Sequence, residues 1–518
     1  MEETPPTKIS GPFGNIALSL SGGGYRAAAF HLGAMDLLNR LDLLRDVTTL
    51  STVSGGTFTG VRYALSLKAG HSFRAFYDEL KRDLETVHLP TLALAKLTST
   101  APSIPSGRWK VITAFAQVYD EKLFAGKKFG VFWEDPPIHL AELIFNSTEF
   151  RTGVAFRFRK SENPKAKIGN GNVFITAEQA QQIRLADLVA ASSCFPGGFE
   201  PLTFPDDFHW DKNAAGVSAL KTLREDGFSP LPLMDGGVYD NQGMGSLMLR
   251  AGFPVEDFGM FIFSDTDQPQ KSLFAPQSLR PVGWLRLWHL NAIWWLLLIL
   301  CIMSIFVSIQ FVTTPWYRWP DILNLLPLLM GVGAVSALLW LRGKITGAFR
   351  AIPTLGLSTW GYLKRVKLNE FIDIVEVRIA SLFALATRVF MRRIRRLVYD
   401  SIFTDVRFEK KLVPNLIYDL LQNKNHPAPL EWLDSSEAMR KVAAAAETMP
   451  TTLWFTDPQQ MKNLVACGQM TMCYKLLLHI TSLSGDDGNA GSEHLQATAD
   501  EARKLFESLK IDPYVLAS

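Results

Sequence analysis

The chain has 518 residues, of which 47% are hydrophobic and 20% are charged, and its formal net charge is +3. The length allows roughly two to four domains, and so small a net charge gives no indication of nucleic-acid binding. Four cysteines without metal-ligand or disulfide spacing favour a reducing compartment.

Residues 1–14 form an N-terminal tail that lacks the basic and apolar regions of a secretory signal. Because this signal pattern is missing, the first part of the folded chain is expected to stay in the cytoplasm. The sequon Asn146-Ser147-Thr148 is then not expected to carry a glycan.

The next elements alternate between strand and helix. Asn15–Leu20 is predicted as a buried strand and Tyr25–Leu41 as a helix, and a second strand ends near Ser54, before a helix over Thr57–Leu67. Two strand–turn–helix units within about fifty residues predict an α/β fold with parallel strands. Residues 73–150 are predicted to be mainly helical. Three later strands are predicted at Val154–Phe158, Val173–Thr176 and Phe258–Ser264.

Two long uncharged runs follow Gly283. The first, Leu290–Val312, is longer than the roughly 20 residues that a helix needs to cross the hydrocarbon core of a membrane. A short connection with proline and tryptophan separates it from the second run, Ile322–Leu341. These runs predict a transmembrane helical hairpin over residues 283–345. The alternative is an unusually apolar hairpin in the protein core.

The charges around the hairpin predict its orientation. The connection between the two runs holds one arginine, Arg318, and one aspartate, Asp321, whereas the outer flanks are basic. The positive-inside rule then places both ends in the cytoplasm and the protein in the cytoplasmic (inner) membrane. The basic residues on the flanks are Arg280, Arg286, Arg342, Lys344 and Arg350.

Residues 346–518 are predicted as a basic helical region that packs partly on the N-terminal domain. One helix in it could lie on anionic lipid headgroups or present an ordinary solvated face, and the sequence leaves both open. Its basic residues are Arg388, Arg392, Arg393, Arg395 and Arg396. Residues 448–468 are predicted to pack back on the sheet, so that the hairpin is an insertion within one folded unit.

A run of three glycines, Gly22–Gly24, joins the first strand to the first helix. Glycines at a helix N-terminus leave backbone N–H groups free to bind either a nucleotide phosphate or the oxyanion of a reacting carbonyl. Taken by itself, the glycine run matches a dinucleotide-binding fingerprint, in which Gly22 and Gly24 are followed by Ala27 and, about twenty residues on, by Asp42 or Asp46. No Lys-Ser/Thr pair follows, which excludes a P-loop.

Two further turns can project reactive side chains. Ser54, within Thr52–Gly56, lies between a strand and a helix as in a nucleophile elbow, although Thr52 stands where that motif usually has glycine. Asp235 precedes two glycines at the end of a predicted strand. Each of these turns, taken alone, is also compatible with an ordinary loop.

Together, and in this order, the three motifs resemble those of the patatin-like phospholipase family, which carries a G-G-G-x-R/K segment, a G-x-S-x-G elbow and a D-G-G/A motif. The small residues and the proline of segment 188–202 also resemble that family. The resemblance covers residues 14–266 and implies a three-layer α/β/α fold, with a catalytic domain over residues 15–282. The transmembrane hairpin is not part of the core of the family.

The resemblance implies a Ser–Asp dyad in which Ser54 is the nucleophile and Asp235 is the base. It also implies that Arg26 either holds the glycine loop or meets a lipid phosphate, and that no metal or cofactor is required. The implied oxyanion donors are Gly22, Gly23 and Gly24. The implied supporting residues are Gly55, Gly56, Gly236 and Gly237.

The histidines of the sequence agree with a dyad. A triad in the order Ser–Asp–His needs a histidine after Asp235, and none of the four there has a recognisable motif around it. The four are His289, His426, His479 and His494. Of the earlier ones, His31 is expected to pack within the first helix and His209 to lie on the surface.

The sequence therefore predicts a lipid acyl hydrolase of phospholipase A or lysophospholipase type at the cytoplasmic face of a membrane. Membrane phospholipid is the expected substrate, anionic headgroups are further candidate partners, an oligomer is compatible with the sequence, and nucleic acid is not expected. Two other interpretations are a catalytically silent, membrane-anchored lipid-binding scaffold and a nucleotide-binding regulator.

Overall fold

The structure is a computed structural model that describes residues 11–98, 110–225, 228–248, 255–267, 289–313, 329–340, 367–385, 389–421, 430–484 and 493–517. Several predicted features lie outside these ranges. They are residues 1–10 of the tail, the basic flanks of the hairpin, the connection between its two runs, Arg388 and His426.

Within the described residues, ten strands form one mixed sheet. The strands are β1 Asn15–Leu20, β2 Val47–Val53, β3 Glu142–Glu149, β4 Val154–Ser161, β5 Ile168–Gly169, β6 Phe174–Ile175, β7 Leu202–Phe204, β8 Leu231–Asp235, β9 Phe258–Asp265 and β10 Leu412–Leu416. Their order is β10-β9-β1-β2-β3-β4-β5-β6, while β8 pairs with β3 and with β7. Strands β10, β9, β1, β2 and β3 are parallel, whereas β4 and β8 run antiparallel to β3.

Helices connect the strands and complete the predicted α/β/α architecture, which is confirmed. In the first part of the chain they are α1 Gly24–Arg40, α2 Gly55–Lys68, α3 Phe73–Thr86, α4 Leu89–Thr98, α5 Val111–Tyr119, α6 Ala177–Gln181, α7 Leu185–Ser193, α8 Ala214–Glu225, α9 Gly237–Asp240 and α10 Met244–Met248. Later helices are α11 Leu290–Thr313, α12 Leu329–Trp340, α13 Leu368–Ala384, α14 Phe390–Phe403, α15 Glu437–Thr448, α16 Pro458–Ser484 and α17 Glu493–Ile511.

The prediction of a mainly helical segment over residues 73–150 is wrong at its C-terminal end, where β3 lies near the middle of the sheet. The polar residues of this strand conceal it in the sequence, because a buried strand normally consists of apolar residues. In the structure β3 is buried along its whole length, and its first residue, Glu142, forms a buried ion pair of 2.7 Å with Arg159 on β4. The sheet is therefore mixed and not wholly parallel.

The segment that follows the apolar insertion returns to the sheet. Its strand β10 extends the parallel part of the sheet beside β9, and α16 packs directly on α1. An added Cβ at Gly33 would lie 2.0 Å from the carbonyl oxygen of Val465, and one at Gly468 would lie 2.0 Å from that of Phe30. The two helix backbones thus touch through a pair of facing glycines, which no side chain could replace.

The chain forms two compact units, Met1–Lys271 together with Thr387–Ser518, and Ser272–Ala386. The second unit is longer than the hairpin predicted over residues 283–345. Its helix α11 contains a stretch, Ala292–Gln310, that is long and apolar enough to cross a membrane, with a mean hydropathy of 2.6.

Helix α12 covers the C-terminal part of the second predicted run, of which residues 322–328 and 341 lie outside the described ranges. The two apolar helices are neighbours. An added Cβ at Gly331 on α12 would lie 2.9 Å from Cγ1 of Ile305 on α11.

Candidate active site

The edge of β3 brings the two predicted catalytic residues together. Strand β2 pairs along this edge as far as Val53 opposite Asn146, and β8 approaches from the other direction as far as Asp235 opposite Ser147. Because these two β3 residues are consecutive, β2 and β8 end next to each other. Ser54, which follows β2 directly, therefore faces Asp235, the last residue of β8.

Asp235 is a buried carboxyl whose pKa is raised to about 6. Burial is the largest cause, and hydrogen bonds from the Gly237 N–H and the Ser54 hydroxyl offset part of it. The Gly237 N–H lies 2.7 Å from Oδ1. A carboxyl with this pKa is mostly ionised at neutral pH and can accept a proton from the hydroxyl that it contacts.

Ser54 occupies a sharp turn between β2 and α2. Its φ of 50° and ψ of −115° place a residue other than glycine in a region that costs about 1–3 kcal/mol and is found mainly at functional sites. Backbone hydrogen bonds hold the turn: its N–H donates to Ser192 Oγ at 3.0 Å, and its carbonyl accepts from the Thr57 N–H at 2.9 Å. This geometry is that of a nucleophile elbow.

A chain of hydroxyl groups supports the elbow from below. Thr52 Oγ1 lies 3.0 Å from Thr57 Oγ1, which lies 2.8 Å from Ser192 Oγ, and Ser192 donates to the carbonyl oxygen of Asn146 at 2.6 Å. Since each hydroxyl has one proton, Thr52 donates to Thr57, and Thr57 donates to Ser192. Ser192 also accepts the N–H of Ser54, so the departure of Thr52 from the usual glycine adds support to the turn.

The room for the Thr52 side chain comes from a glycine elsewhere. An added Cβ at Gly60, on α2, would lie 2.6 Å from Cγ2 of Thr52, which is closer than two carbon atoms can approach. The small residue that the elbow motif usually places on the strand is therefore found on the helix that packs against it.

The Gly60→Ala substitution is expected to lower the unfolding temperature, because overpacking of a core contact costs about 1–3 kcal/mol. The double variant Thr52→Ser/Gly60→Ala removes the clashing methyl, keeps the hydroxyl and gains roughly 1 kcal/mol of helix propensity. It is therefore expected to regain the wild-type unfolding temperature in a thermal scan. If Gly60→Ala lowered the unfolding temperature equally in the wild-type protein and in the Thr52→Ser variant, this account of the elbow would be contradicted.

The three predicted oxyanion donors do not share one environment. The Gly22 N–H already donates to the carbonyl of Asn241 at 3.0 Å, and its own carbonyl accepts from Thr266 Oγ1 at 3.1 Å. Gly23 and Gly24 form the N-terminus of the 17-residue helix α1, with φ values of 147° and 60°. Among the described residues their two N–H groups have no hydrogen-bond partner. They are the donors available to an anion, and the α1 dipole adds to their positive charge.

His31 supports this loop and does not act on Ser54. Its Nε2 lies 2.9 Å from the carbonyl of Ser21 and its Nδ1 lies 2.9 Å from the hydroxyl of Ser264. Burial lowers its pKa to about 4, so the ring is neutral at pH 7 and donates from Nε2. Among the described residues, none of the groups that hydrogen-bond Asp235 is a histidine.

Arg26 ties the glycine loop to two other parts of the chain. Its Nη1 donates to the carbonyl of Met449 and its Nη2 to the carbonyl of Thr266, each at 2.9 Å. The side chain is buried, and this burial lowers its pKa from the usual arginine value. Of the two roles left open by the sequence, these contacts favour the anchoring of the loop, because protein carbonyls occupy both Nη groups.

The four predicted supporting glycines allow neighbouring segments to approach one another. An added Cβ at any of them would lie 2.2–2.5 Å from a backbone or side-chain oxygen of the adjacent segment. They are Gly55, Gly56, Gly236 and Gly237.

Other residues that hold the site have weaker signals in the sequence. Ser192 lies in the small-residue segment 188–202, which points to close packing but not to a hydrogen bond with the elbow. Thr266 and Asn241 have no motif around them. Within the described ranges, no group of three or more His, Cys, Asp or Glu side chains is arranged to hold a metal ion.

Fold and site together define an α/β protein in which a strained serine contacts a buried carboxyl beside a helix N-terminus, where two N–H groups have no partner among the described residues. The family model of patatin-like phospholipases matches residues 18–248, and this part of the chain is a patatin-like phospholipase domain. The resemblance carried by the three motifs is thus confirmed over that range.

Other comparisons give little beyond the family. Human GIVD cytosolic phospholipase A2, solved in complex with methyl γ-linolenyl fluorophosphonate and terbium chloride, is 14% identical to this chain with a TM-score of 0.29. The match covers 48% of this chain and 40% of that protein, so the chain spans well under half of its length. No curated protein sequence matches the chain.

Proposed function

We propose that this protein is a lipid acyl hydrolase of phospholipase A or lysophospholipase type, with Ser54 as nucleophile and Asp235 as base. One observation carries the proposal: the Ser54 hydroxyl hydrogen-bonds a carboxyl whose pKa is about 6, next to a helix N-terminus where the Gly23 and Gly24 N–H groups have no partner within the described part of the chain. The patatin-like phospholipase domain supports the choice of a lipid ester as substrate.

In the proposed reaction, Ser54 Oγ attacks the ester carbonyl while Asp235 takes the hydroxyl proton. The N–H groups of Gly23 and Gly24 stabilise the negative charge on the carbonyl oxygen. The ester C–O bond then breaks, and the leaving alcohol receives the proton from Asp235. Asp235 then deprotonates a water molecule, which attacks the acyl-serine. As the Ser54 Oγ–acyl bond breaks and the fatty acid is released, Asp235 returns the proton to Ser54 Oγ.

The inserted unit favours a substrate that lies in a bilayer. The stretch Ala292–Gln310 meets the length and composition of a membrane span, and most of its side chains are exposed. We propose that the apolar runs anchor the protein in the cytoplasmic membrane, with the catalytic domain on the cytoplasmic side.

Helix α14 supplies a second candidate contact with the membrane. Its outer face alternates exposed apolar residues with exposed arginines: Phe390, Arg393, Arg396, Leu397 and Phe403. Such a face suits anionic headgroups above an apolar layer, where each basic residue adds about 1 kcal/mol of attraction.

The full-length protein, purified and reconstituted into vesicles of phosphatidylglycerol and phosphatidylcholine, tests the proposed function. Mass spectrometry of the lipids is expected to detect free fatty acid and lysophospholipid in equal amounts at early times. A folded protein that releases no fatty acid from these vesicles, from lysophospholipid or from a water-soluble ester would instead be the silent lipid-binding scaffold.

Membrane anchoring predicts a specific pattern of extraction. High salt is expected to leave the protein on the membrane, because an apolar anchor is insensitive to ionic screening. Alkaline carbonate is also expected to leave the full-length chain in the pellet, as quantified by immunoblot of pellet and supernatant. Release of the intact chain by carbonate would show that the two apolar runs are core helices.

A further inference from the structure

Arg395 differs from the other arginines of the basic helix α14 because it points inward. Its side chain is 12% exposed, with Nη1 at 2.5 Å from Asp267 Oδ1 and Nε at 3.3 Å from Asp265 Oδ2. The hydroxyl of Tyr399, one turn further along α14, also lies 3.2 Å from Asp265 Oδ2. These contacts exclude Arg395 from the group of residues that face anionic headgroups.

The two carboxylates bound by Arg395 flank Thr266, and Thr266 holds the glycine loop. Its N–H donates to Ser21 Oγ at 3.2 Å, and its hydroxyl donates to the carbonyl of Gly22 at 3.1 Å. Its carbonyl accepts from Arg26 at 2.9 Å. All three polar groups of Thr266 are therefore committed to the segment from Ser21 to Arg26.

A second contact of Arg395 reaches the segment that follows Asp235. In the amide orientation that satisfies both of its polar atoms, Gln242 accepts from Arg395 Nε at 3.0 Å and donates to Asp240 Oδ1 at 3.3 Å. The preceding residue, Asn241, accepts the N–H of Gly22. Arg395 thus contacts the two segments that hold the Gly22 backbone. In one segment Thr266 binds the Gly22 carbonyl, and in the other Asn241 binds the Gly22 N–H.

We propose that Arg395 is a positioning residue for the oxyanion loop, a role that rests on the proposed function. It does not touch the substrate. It fixes Thr266, which binds the Gly22 carbonyl, and Gln242, whose neighbour Asn241 accepts the Gly22 N–H. The placement of Gly22 in turn aims the N–H groups of Gly23 and Gly24. A planar guanidinium that binds several atoms at once suits this role, because a point-like ammonium cannot satisfy them all. Arg395 also lies on the first helix after the inserted unit, so the return of the chain from that unit completes the oxyanion site.

The Arg395→Lys variant of the full-length protein tests the proposal without leaving the two carboxylates unpaired. With a water-soluble ester, kcat is expected to fall about tenfold while KM changes less than twofold, because the lost interaction acts in the transition state. A trifluoromethyl ketone, whose adduct carries an oxyanion, is expected to bind about tenfold more weakly. A substrate analogue that forms no oxyanion is expected to bind as in the wild type. A purely structural role would not separate these two ligands.

Thr266→Val provides a second variant if Arg395→Lys does not fold, because it removes only the hydroxyl that holds the Gly22 carbonyl. It is expected to give the same split between the two ligands. Arg74→Lys, which changes an exposed arginine on α3 that pairs with Asp78, is the matched control and is expected to behave as the wild type with the soluble ester.

Wild-type kcat and ketone affinity in Arg395→Lys or, failing that, in Thr266→Val would overturn the proposal. A proportional loss of affinity for both ligands would do so as well. Failure of the proposed function itself would appear differently, as hydrolysis that persists in Ser54→Ala.

Discussion

Replacement of Ser54 by alanine is expected to reduce ester hydrolysis by about four to six orders of magnitude, because Ser54 is the one hydroxyl among the described residues that hydrogen-bonds the carboxyl of Asp235. The protein is expected to remain folded, since the hydrogen bonds that hold the elbow come from the backbone of Ser54 and persist in alanine. Hydrolysis of a soluble ester, followed by stopped-flow absorbance, measures the loss.

The matched control for this variant is Ser508→Ala, which changes an exposed serine on α17 and is expected to leave the rate unchanged. Thermal unfolding of both variants separates loss of chemistry from loss of structure. A Ser54→Ala protein that keeps more than a hundredth of the wild-type rate would move the nucleophile to another residue.

Substitution of Asp235 by asparagine is expected to reduce turnover by about three to four orders of magnitude and, at neutral pH, to stabilise the fold. The folded carboxyl has a pKa of about 6, above its ordinary value of 3.8, so the folded state binds this proton more tightly than the unfolded state. That contribution to stability is complete below about pH 4 and is lost as the pH rises through about 6.

Above that range the buried charge opposes folding by up to about 3 kcal/mol, and asparagine removes this cost. Unfolding temperatures of the two proteins are therefore expected to be similar near pH 4 and to diverge at pH 7–8 in favour of the variant. The exposed substitution Asp400→Asn on α14 is expected to show no such divergence. An Asp235→Asn protein less stable than the wild type at pH 8 would contradict the assigned pKa.

The same pKa predicts how the wild-type rate depends on pH. Only the ionised carboxylate can accept the proton of Ser54, so kcat/KM for a soluble ester is expected to rise with pH and to level off above about 6. A rate that stays constant from pH 5 to pH 8 would show that another group is the base.

Local features of the site could be predicted from the sequence because short-range geometry determines them. The strand Asn15–Leu20 and the turn before α1 follow from an apolar run that meets three glycines, and at Ser54 two glycines likewise begin a helix directly after a strand. Motif order was enough to identify the family over residues 18–248. The α/β architecture followed from the alternation of the first elements.

Long-range features could not be predicted in this way. The sequence does not show that β2 and β8 end at consecutive residues of β3. The polar residues of β3 do not fit the usual pattern of a buried strand, and the pairing joins segments that are far apart in the chain. The sequence also does not show that Gly60 leaves room for the side chain of Thr52, because this contact forms only when helix α2 packs on strand β2. The hydrogen bond from the Gly22 N–H to the carbonyl of Asn241 could not be predicted either, because no sequence motif connects these two residues.

The basic helix shows how composition can mislead about the roles of individual residues. Five arginines within nine positions suggest one lipid-facing cluster, yet a helix presents residues three or four apart on one face and the others elsewhere. Arg393 and Arg396 lie on the exposed face, while Arg395 is turned toward Asp265 and Asp267. Only the packing of α14 on the sheet separates these two roles.

The most direct test of the central claim is to locate the site of covalent capture in the intact protein. The wild-type protein, incubated with a long-chain fluorophosphonate and digested, is expected to yield a single modified peptide with the adduct on Ser54. Asp235→Asn is expected to form this adduct far more slowly, and phospholipid vesicles are expected to compete with the probe. An adduct on a different residue, or hydrolysis of lipid that continues after Ser54 is fully modified, would contradict the account.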